Sequence, residues 1–360
     1  GRTPIELGKQ SEIALNTRLA EHLRVKTGDT VIIRVDAPGD VSRDLPVGDS
    51  NRGTTALRLK VSRVLPPNDF GRFSLRSEQA LPMNAFVARD LLASRLDAMG
   101  QANLILIAEA INPEAVGRAI QSVWTPEDIG FTMRALQNGG LEMRSRRVFI
   151  DAPTLKAARF SAPDATPLLT YFANTIGANS KQTPFSFITG LVHSPLVDGM
   201  PNAGITVNRW LADDLALATN DTVDLHYFVV DPRNRLTETN RAFTVHRIVE
   251  MRDAATDPEL MPDFPGLSDV DNCQDWDPSM PIDLRRVRKK DEAYWDAYRG
   301  TPKAFVTLSA AQTMWSNHHG LATAVRFPPQ ALPPGELLRD IVSTLNPGNV
   351  GMRILPVRDT

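Results

Sequence analysis

The stretch from 252 to 303 holds the densest set of side chains able to do chemistry in this 360-residue chain. Asp263, Asp269, Asp271, Asp275, Asp277 and Asp283 run through it, interleaved with Trp276, Tyr294, Trp295 and Tyr298 and with Arg285, Arg286 and Arg288. Clustered carboxylates are hard ligands of the kind calcium takes. However, an EF-hand loop counted from Asp269 needs glycine at 274 and glutamate at 280, where Gln274 and Met280 stand. A solvated loop, with its acids paired to the nearby arginines, is the favoured reading. A pair such as Asp275 and Asp283 could do general acid–base work on an envelope polymer if held at a suitable separation, and nothing in the sequence fixes that separation. Acids beside aromatic rings also bind sugars or peptides. Asp275, Trp276, Asp277, Tyr294, Trp295 and Tyr298 are therefore the candidate substrate or partner surface, although such rings more often anchor a long loop to a core.

Elsewhere the candidates thin out. His318-His319 is the one histidine pair, and adjacent helical residues point about 100° apart, a poor chelating geometry. A helix-end charge is the simpler account. Cys273 is the only cysteine, so no intramolecular disulfide forms and the redox compartment stays open. No GxxxxGK[ST], GxSxG, HExxH or CxxC pattern occurs. The sequence therefore predicts no catalytic residue, no cofactor and no metal site. With 40 Lys+Arg against 42 Asp+Glu, the surface has no field for nucleic acid.

What must position these residues is a repeated frame. Residues 13–31 (IALNTRLAEHLRVKTGDTV) align with 205–223 (ITVNRWLADDLALATNDTV) with nine identities in nineteen positions. Each copy reads as a strand end, an Asn at the N-cap position (Asn16, Asn208), and a helix with leucines four apart. A residue tolerant of left-handed backbone at the helix C-terminus (Gly28, Asn220) follows, and then a second strand. The correspondence continues more faintly from 59–64 to 244–248 and from Asn84–Val87 to Lys303–Val306. Helices at 90–99 and 309–317, Gly100 and Gly320, strands at 103–107 and 322–327, and Pro-initiated helices at 113–123 and 334–345 complete it. Between the copies, 141–160 reads as a strand followed by a helix. The expected fold is α+β: two related mixed modules of split βαβ, porter-like type, made by internal duplication, with helices on one face. They span 1–150 and 151–360, the second carrying the 252–303 insertion.

No run approaches the roughly 18–20 apolar residues that span a bilayer. The start, Gly1-Arg2-Thr3-Pro4, reads as the edge of a piece cut from a longer protein.

Several separated phrases resemble the extracytoplasmic domains of FtsX-like, MacB-like ABC-transporter permeases. They are the LNxxLAxxLxxxxGDTV segment at 15–31, Thr170–Ile176 with Pro184-Phe185-Ser186, and Asp275-Trp276-Asp277-Pro278 with Ile282-Asp283-Leu284. Lys290–Trp295, Tyr298–Val306 and Gly351–Arg358 are similar too. The resemblance implies a MacB-like periplasmic core, non-catalytic, on the outer side of a bacterial inner membrane. It implies a cytoplasmic ATPase partner reached through transmembrane helices, a periplasmic adaptor or envelope protein as a further partner, and a dimeric transporter. Two other readings stand beside it. LAxxLxxxxGDTV also occurs, more loosely, in double-psi barrel substrate-recognition domains, which suits a stand-alone binding or adaptor module. The carboxylates of the 263–283 loop would suit an envelope-polymer hydrolase.

Overall fold

The computed structural model describes residues 11–36, 39, 54–75, 80–107, 112–231, 233, 235–264, 266–268, 270–273, 276, 280–329 and 332–355. These divide into two compact units, one from 11–39, 54–117 and 353–355 and the other from 118–352. The division falls after 117 and not at 150 as the sequence suggests. Residues 141–145 pair with a strand near 325 and with 131–135 on their other edge, and local sequence carries no trace of that long-range pairing.

The first unit begins with β1 (Glu12–Asn16), α1 (Thr17–Leu23), β2 (Thr30–Asp36), β3 (Thr54–Leu65), β4 (Ala85–Val87) and α2 (Arg89–Arg95). The helix α3 (Pro113–Val123) holds the division, its residues up to Gly117 counted with the first unit and those from Arg118 with the second. The strand order is β2-β3-β1-β4, with β1 parallel to β3 and the other pairs antiparallel. Asn16 starts α1 as expected: its side chain accepts from the Leu19 N–H at 3.1 Å, and its own amide donates to the Gly71 and Pro82 carbonyls.

The second unit comprises β5 (Phe131–Ala135), β6 (Leu141–Ser145), α4 (Ala152–Ser161), β7 (Thr166–Ala178), β8 (Lys181–Leu191), β9 (Gly204–Asn208) and α5 (Arg209–Leu215). After these come β10 (Thr222–Val230), β11 (Leu236–Val249), α6 (Lys289–Tyr298), β12 (Ala304–Thr307), α7 (Leu308–Trp315), β13 (Ala324–Phe327) and α8 (Pro334–Ser343). The strands run β10-β11-β9-β12-β8-β7-β13-β6-β5, and β10 also pairs with β7 through Asp224–His226 against Thr175–Gly177. That last pairing closes six strands into a barrel. Open mixed sheets with helices on one face were expected. Closure arises because the long strands β7 and β10 each pair on both edges, a property that alternation in the sequence does not reveal.

The side chains of the barrel strands are largely shielded from water, Phe172, Ile188, Val207, Leu225 and Val245 fully so. Burying each contributes about 1.5–3 kcal/mol. Outside the barrel, β13, β6 and β5 continue from β7. Phe131, Met143, Val325 and Phe327 pack there with Ala158 of α4 and Leu338 and Ile341 of α8.

Local geometry is repeated between the units. Strand order β2-β3-β1-β4 matches β10-β11-β9-β12, with the same sense at each pairing. The Asn16 and Asn208 N–H groups both donate at 3.0 Å to a carbonyl just before the next matching strand, that of Asn84 or Lys303. Gly28 and Asn220 do take positive φ, but they lie in the turn before the strand. The helices end four residues earlier at Arg24 and Ala216, both left-handed. The Val25 and Leu217 N–H groups bond back to Ala20 and Ala212, the Schellman pattern, and this sets the stop despite the Cβ cost.

One expected strand is missing. Residues 103–107 form no strand and have no strand partner among the described residues, and Ile105 is 78% exposed. Their counterpart β13 has β6 and β7 on either side, and no described strand of the first unit takes those places.

Candidate functional site

Three clusters in the second unit bring chemistry-bearing side chains together, and all of them hold the 252–303 insertion. The first begins with strand register. Arg134 of β5 and Arg326 of β13 stand directly opposite Glu142 of β6, and Arg144 lies two residues along β6 on the same face. Glu142 is fully buried. Its Oε1 accepts from Arg134 Nη2 at 2.7 Å and Arg144 Nε at 2.6 Å, and its Oε2 accepts from Arg326 Nε at 2.7 Å. Burial by itself would push this carboxyl up. The positive charges of Arg144, Arg326 and Arg134 outweigh that and hold it below the usual carboxylate range. The arginines then reach outward to the insertion. Arg144 donates to the Glu259 and Met261 carbonyls and to Asp263, and Arg326 donates to Asp257.

The second cluster surrounds Asp214 at the end of α5. It accepts from Thr183 Oγ1 at 2.6 Å and Arg288 Nη2 at 2.7 Å, and from Lys290. Burial raises its pKa, but these donors together bring it below its ordinary value. Arg288 also forks onto Asp291, two residues into α6, with both bonds at 2.7 Å.

The third cluster is aromatic. Trp276 packs edge-on against Phe172, Phe185 and Trp295, with ring centres 6.0, 6.3 and 5.2 Å away. Trp295 Nε1 donates to the Asp271 carbonyl at 2.8 Å. Tyr294 stacks between Trp210 and Tyr298, and its hydroxyl joins Asn208 Nδ2 to the Thr301 carbonyl. In the same place Lys303, 4% exposed, lies with Nζ 4.4 Å from the Trp210 ring centre and 4.9 Å from that of Tyr294. Its nearest carboxylate oxygen, Asp291 Oδ1, is 3.9 Å away. Loss of water lowers the Lys303 pKa to about 8 against the pull of Asp291. Burial raises the Cys273 thiol to about 12, with Glu292 adding to the shift.

Of the six residues singled out from the sequence, Trp276, Tyr294 and Trp295 are buried and Tyr298 is half-buried. Trp276 and Trp295 join the aromatic core of Phe172 and Phe185, and Tyr294 and Tyr298 pack in a second group with Trp210. Asp275 and Asp277 lie outside the described residues, as does Asp269. Asp263 pairs with Arg144, Asp271 approaches Arg299 at 3.5 Å, and Asp283 pairs with Arg285. Among the described residues no group of three or more His, Cys, Asp or Glu side chains is placed to hold a metal ion. His318 and His319 sit in the turn after α7, with ring centres 3.9 Å apart.

Two cavities flank Trp295. One, of about 20 Å³, is lined by Phe185, Phe187, Trp276, Tyr294 and Lys303. The other is a polar cleft of about 380 Å³ bordered by Arg134, Arg144, Asp263, Asp271 and Arg299. Glu142, Asp214 and Lys303 were not singled out from the sequence. For Lys303 the available signal was a cation directly ahead of the apolar run Ala304-Phe305-Val306. For Glu142 it was a charge alternating with Leu141 and Met143 in a strand buried on both faces.

The fold class of the second unit is thus a closed six-stranded barrel with a sheet extension, inside a chain of mixed helix and strand. No protein-family model and no curated protein sequence matches this chain.

Proposed function

We propose that this chain is the extracytoplasmic part of a bacterial FtsX-like, MacB-like ABC-transporter permease. In this reading it is a non-catalytic module on the periplasmic side of the inner membrane. It couples the motion of a cytoplasmic ATPase, transmitted through transmembrane helices, to a substrate, adaptor or envelope protein. The observation that carries the reading is convergence. The phrases with the family resemblance lie far apart in sequence, at 170–186 and at 275–306. Their residues Phe172, Phe185, Trp276 and Trp295 nevertheless form one continuous aromatic core. A resemblance spread over segments that build one core is what a shared domain would produce. The matched strand order, caps and turns of the two units support internal duplication of a single split βαβ module. The polar cleft beside Trp295 is the surface assigned to the partner, because its rim arginines and acids are anchored by the Glu142 network.

The test is to express the parent gene in membranes together with the ATPase encoded beside it. The reading expects hydrophobic spans on both sides of this segment and co-purification of the ATPase in detergent. A self-contained soluble protein that recovers no ATPase refutes it. The closed barrel that holds the second copy of this segment, residues 211–223 with Asn220 in place of the glycine, favours a second reading, a stand-alone binding or adaptor module. That reading expects peptide binding with no membrane requirement.

A further inference from the structure

Three features of the first unit lack a partner among the described residues. The outer edge of β2, the outer edge of β4 and the segment 103–107 have no neighbouring strand. In the second unit the β7–β8 hairpin covers a counterpart of each, with β6 taking the other edge of β13. β7 pairs with β10 at Asp224–His226, the positions equivalent to Ile32–Arg34. It also pairs with β13 at Ala324–Arg326, equivalent to 104–106 when Gly100 is matched to Gly320. β8 runs parallel to β12 at Ala304–Thr307, equivalent to 85–88. The tip of the same hairpin covers α5: Asn179 Nδ2 donates to the Leu215 and Ala216 carbonyls, and Thr183 donates to Asp214.

Burial follows the same division. Leu215 is 0% exposed under the hairpin, whereas its counterpart Leu23 in α1 is 47% exposed. Leu211, Val223, Leu225 and Val306 are fully buried, but Leu19, Val31, Ile33 and Val87 are only half-buried. One missing hairpin accounts for the open edges of β2 and β4, the exposed face of α1 and one edge of 103–107. Unpaired strand edges beside an apolar face recruit another strand.

We propose that the first unit is an open form of the same barrel, completed by a two-stranded antiparallel hairpin of the parent polypeptide that precedes β1. The chain order of the second unit, hairpin first and then β9, assigns that side. The hairpin carries alternating apolar residues that face Leu19, Leu23 and Ile33, and its strands dock on β2, β4 and 103–107. The inference rests on the reading of this chain as part of a longer permease.

Hydrogen exchange read by mass spectrometry tests it, on this chain and on the same chain extended upstream to the first hydrophobic span or the start codon. Peptides covering 30–36, 85–87 and 103–107 should exchange at least roughly tenfold more slowly in the extended chain. Peptides from β10 should not change, which serves as the folding control. If the extended chain misfolds, the upstream segment added as a synthetic peptide should give the same protection. Equal exchange in both forms overturns the proposal, and so does the absence of any upstream residues. Protection that appears in the unextended chain and grows with its concentration also overturns it, by assigning the edges to a second copy. Failure here with the ATPase still co-purifying would remove this inference and leave the transporter reading in place.

Discussion

Replacing Glu142 by glutamine tests the idea that a buried carboxylate pins the insertion to the flanking sheet. The side chain is 0% exposed and receives three guanidinium groups. Glutamine keeps the shape but removes the charge, and it turns one oxygen into an NH2 that faces an arginine donor. Leaving buried charges without their partner costs about 3–5 kcal/mol. For a unit the size of residues 118–352, each kcal/mol moves the melting temperature by about 2–4 °C, so the unit should melt roughly 6–20 °C lower. The more exposed Arg134→Gln should cost much less, since Arg144 and Arg326 still hold both oxygens. The pH dependence has a definite sign. A carboxyl whose folded pKa is depressed stabilises above the unfolded value near 4.3, and that contribution is lost as pH falls through the folded value. The gap between wild type and Glu142→Gln should therefore be constant at neutral pH and close in acid. Scanning calorimetry with limited proteolysis across 252–263 reads both effects. A shift under about 2 °C, with the insertion still protease-resistant, would refute the reasoning.

Three further outcomes follow from the aromatic and capping geometry. Lys303→Met should stabilise the protein near pH 7 by about 1–3 kcal/mol. It should also flatten a rise in wild-type stability between pH 8 and 10, because the unfolded chain binds the proton that folded Lys303 releases at about 8. Urea titrations across that range check it, and a variant less stable at pH 7 with an unchanged profile contradicts it. Cys273, buried and with its thiol raised to about 12, should react with a maleimide at pH 8 at least roughly a hundredfold more slowly folded than in urea. Rapid labelling of the folded protein would show that the insertion opens. Asn208→Ala should cost about 2–3 kcal/mol, by losing both the α5 cap and the bond to Tyr294 Oη. Asn208→Asp should recover the cap alone, and chemical denaturation would separate the two contributions.

The elements that were legible in the sequence are those specified by local chemistry. Asn16 and Asn208 cap helices because their amides reach the N–H groups three residues on, and spacing alone predicts this. The match of Asn84 to Lys303 holds down to one shared backbone hydrogen bond. The helix ends were misplaced by about a turn. A Schellman stop at Arg24 or Ala216 needs only a left-handed residue followed by an apolar one, and neither residue type signals it. The strand expected at 103–107 has the right side chains, but a strand also requires neighbours, and these come from elsewhere in the chain.

The candidate site divides in the same way. The 252–303 aromatics stand out by their density, and the role of Trp276 and Trp295 as anchors follows from Trp276 packing on Phe172, Phe185 and Trp295. Glu142, Asp214 and Lys303 were not visible. Each is an ordinary surface residue type made significant in part by a partner more than 70 positions away, Arg326 for Glu142, Arg288 for Asp214 and Trp210 for Lys303. The amino-acid sequence by itself determined the repeated cap–helix–turn–strand units, because those rest on contacts within a few residues. Only the tertiary structure decided that six strands of the second unit close into a barrel and that three arginines share one buried carboxylate. It also decided that the first unit is left with open edges, because strand pairing and charge burial depend on which distant segments meet.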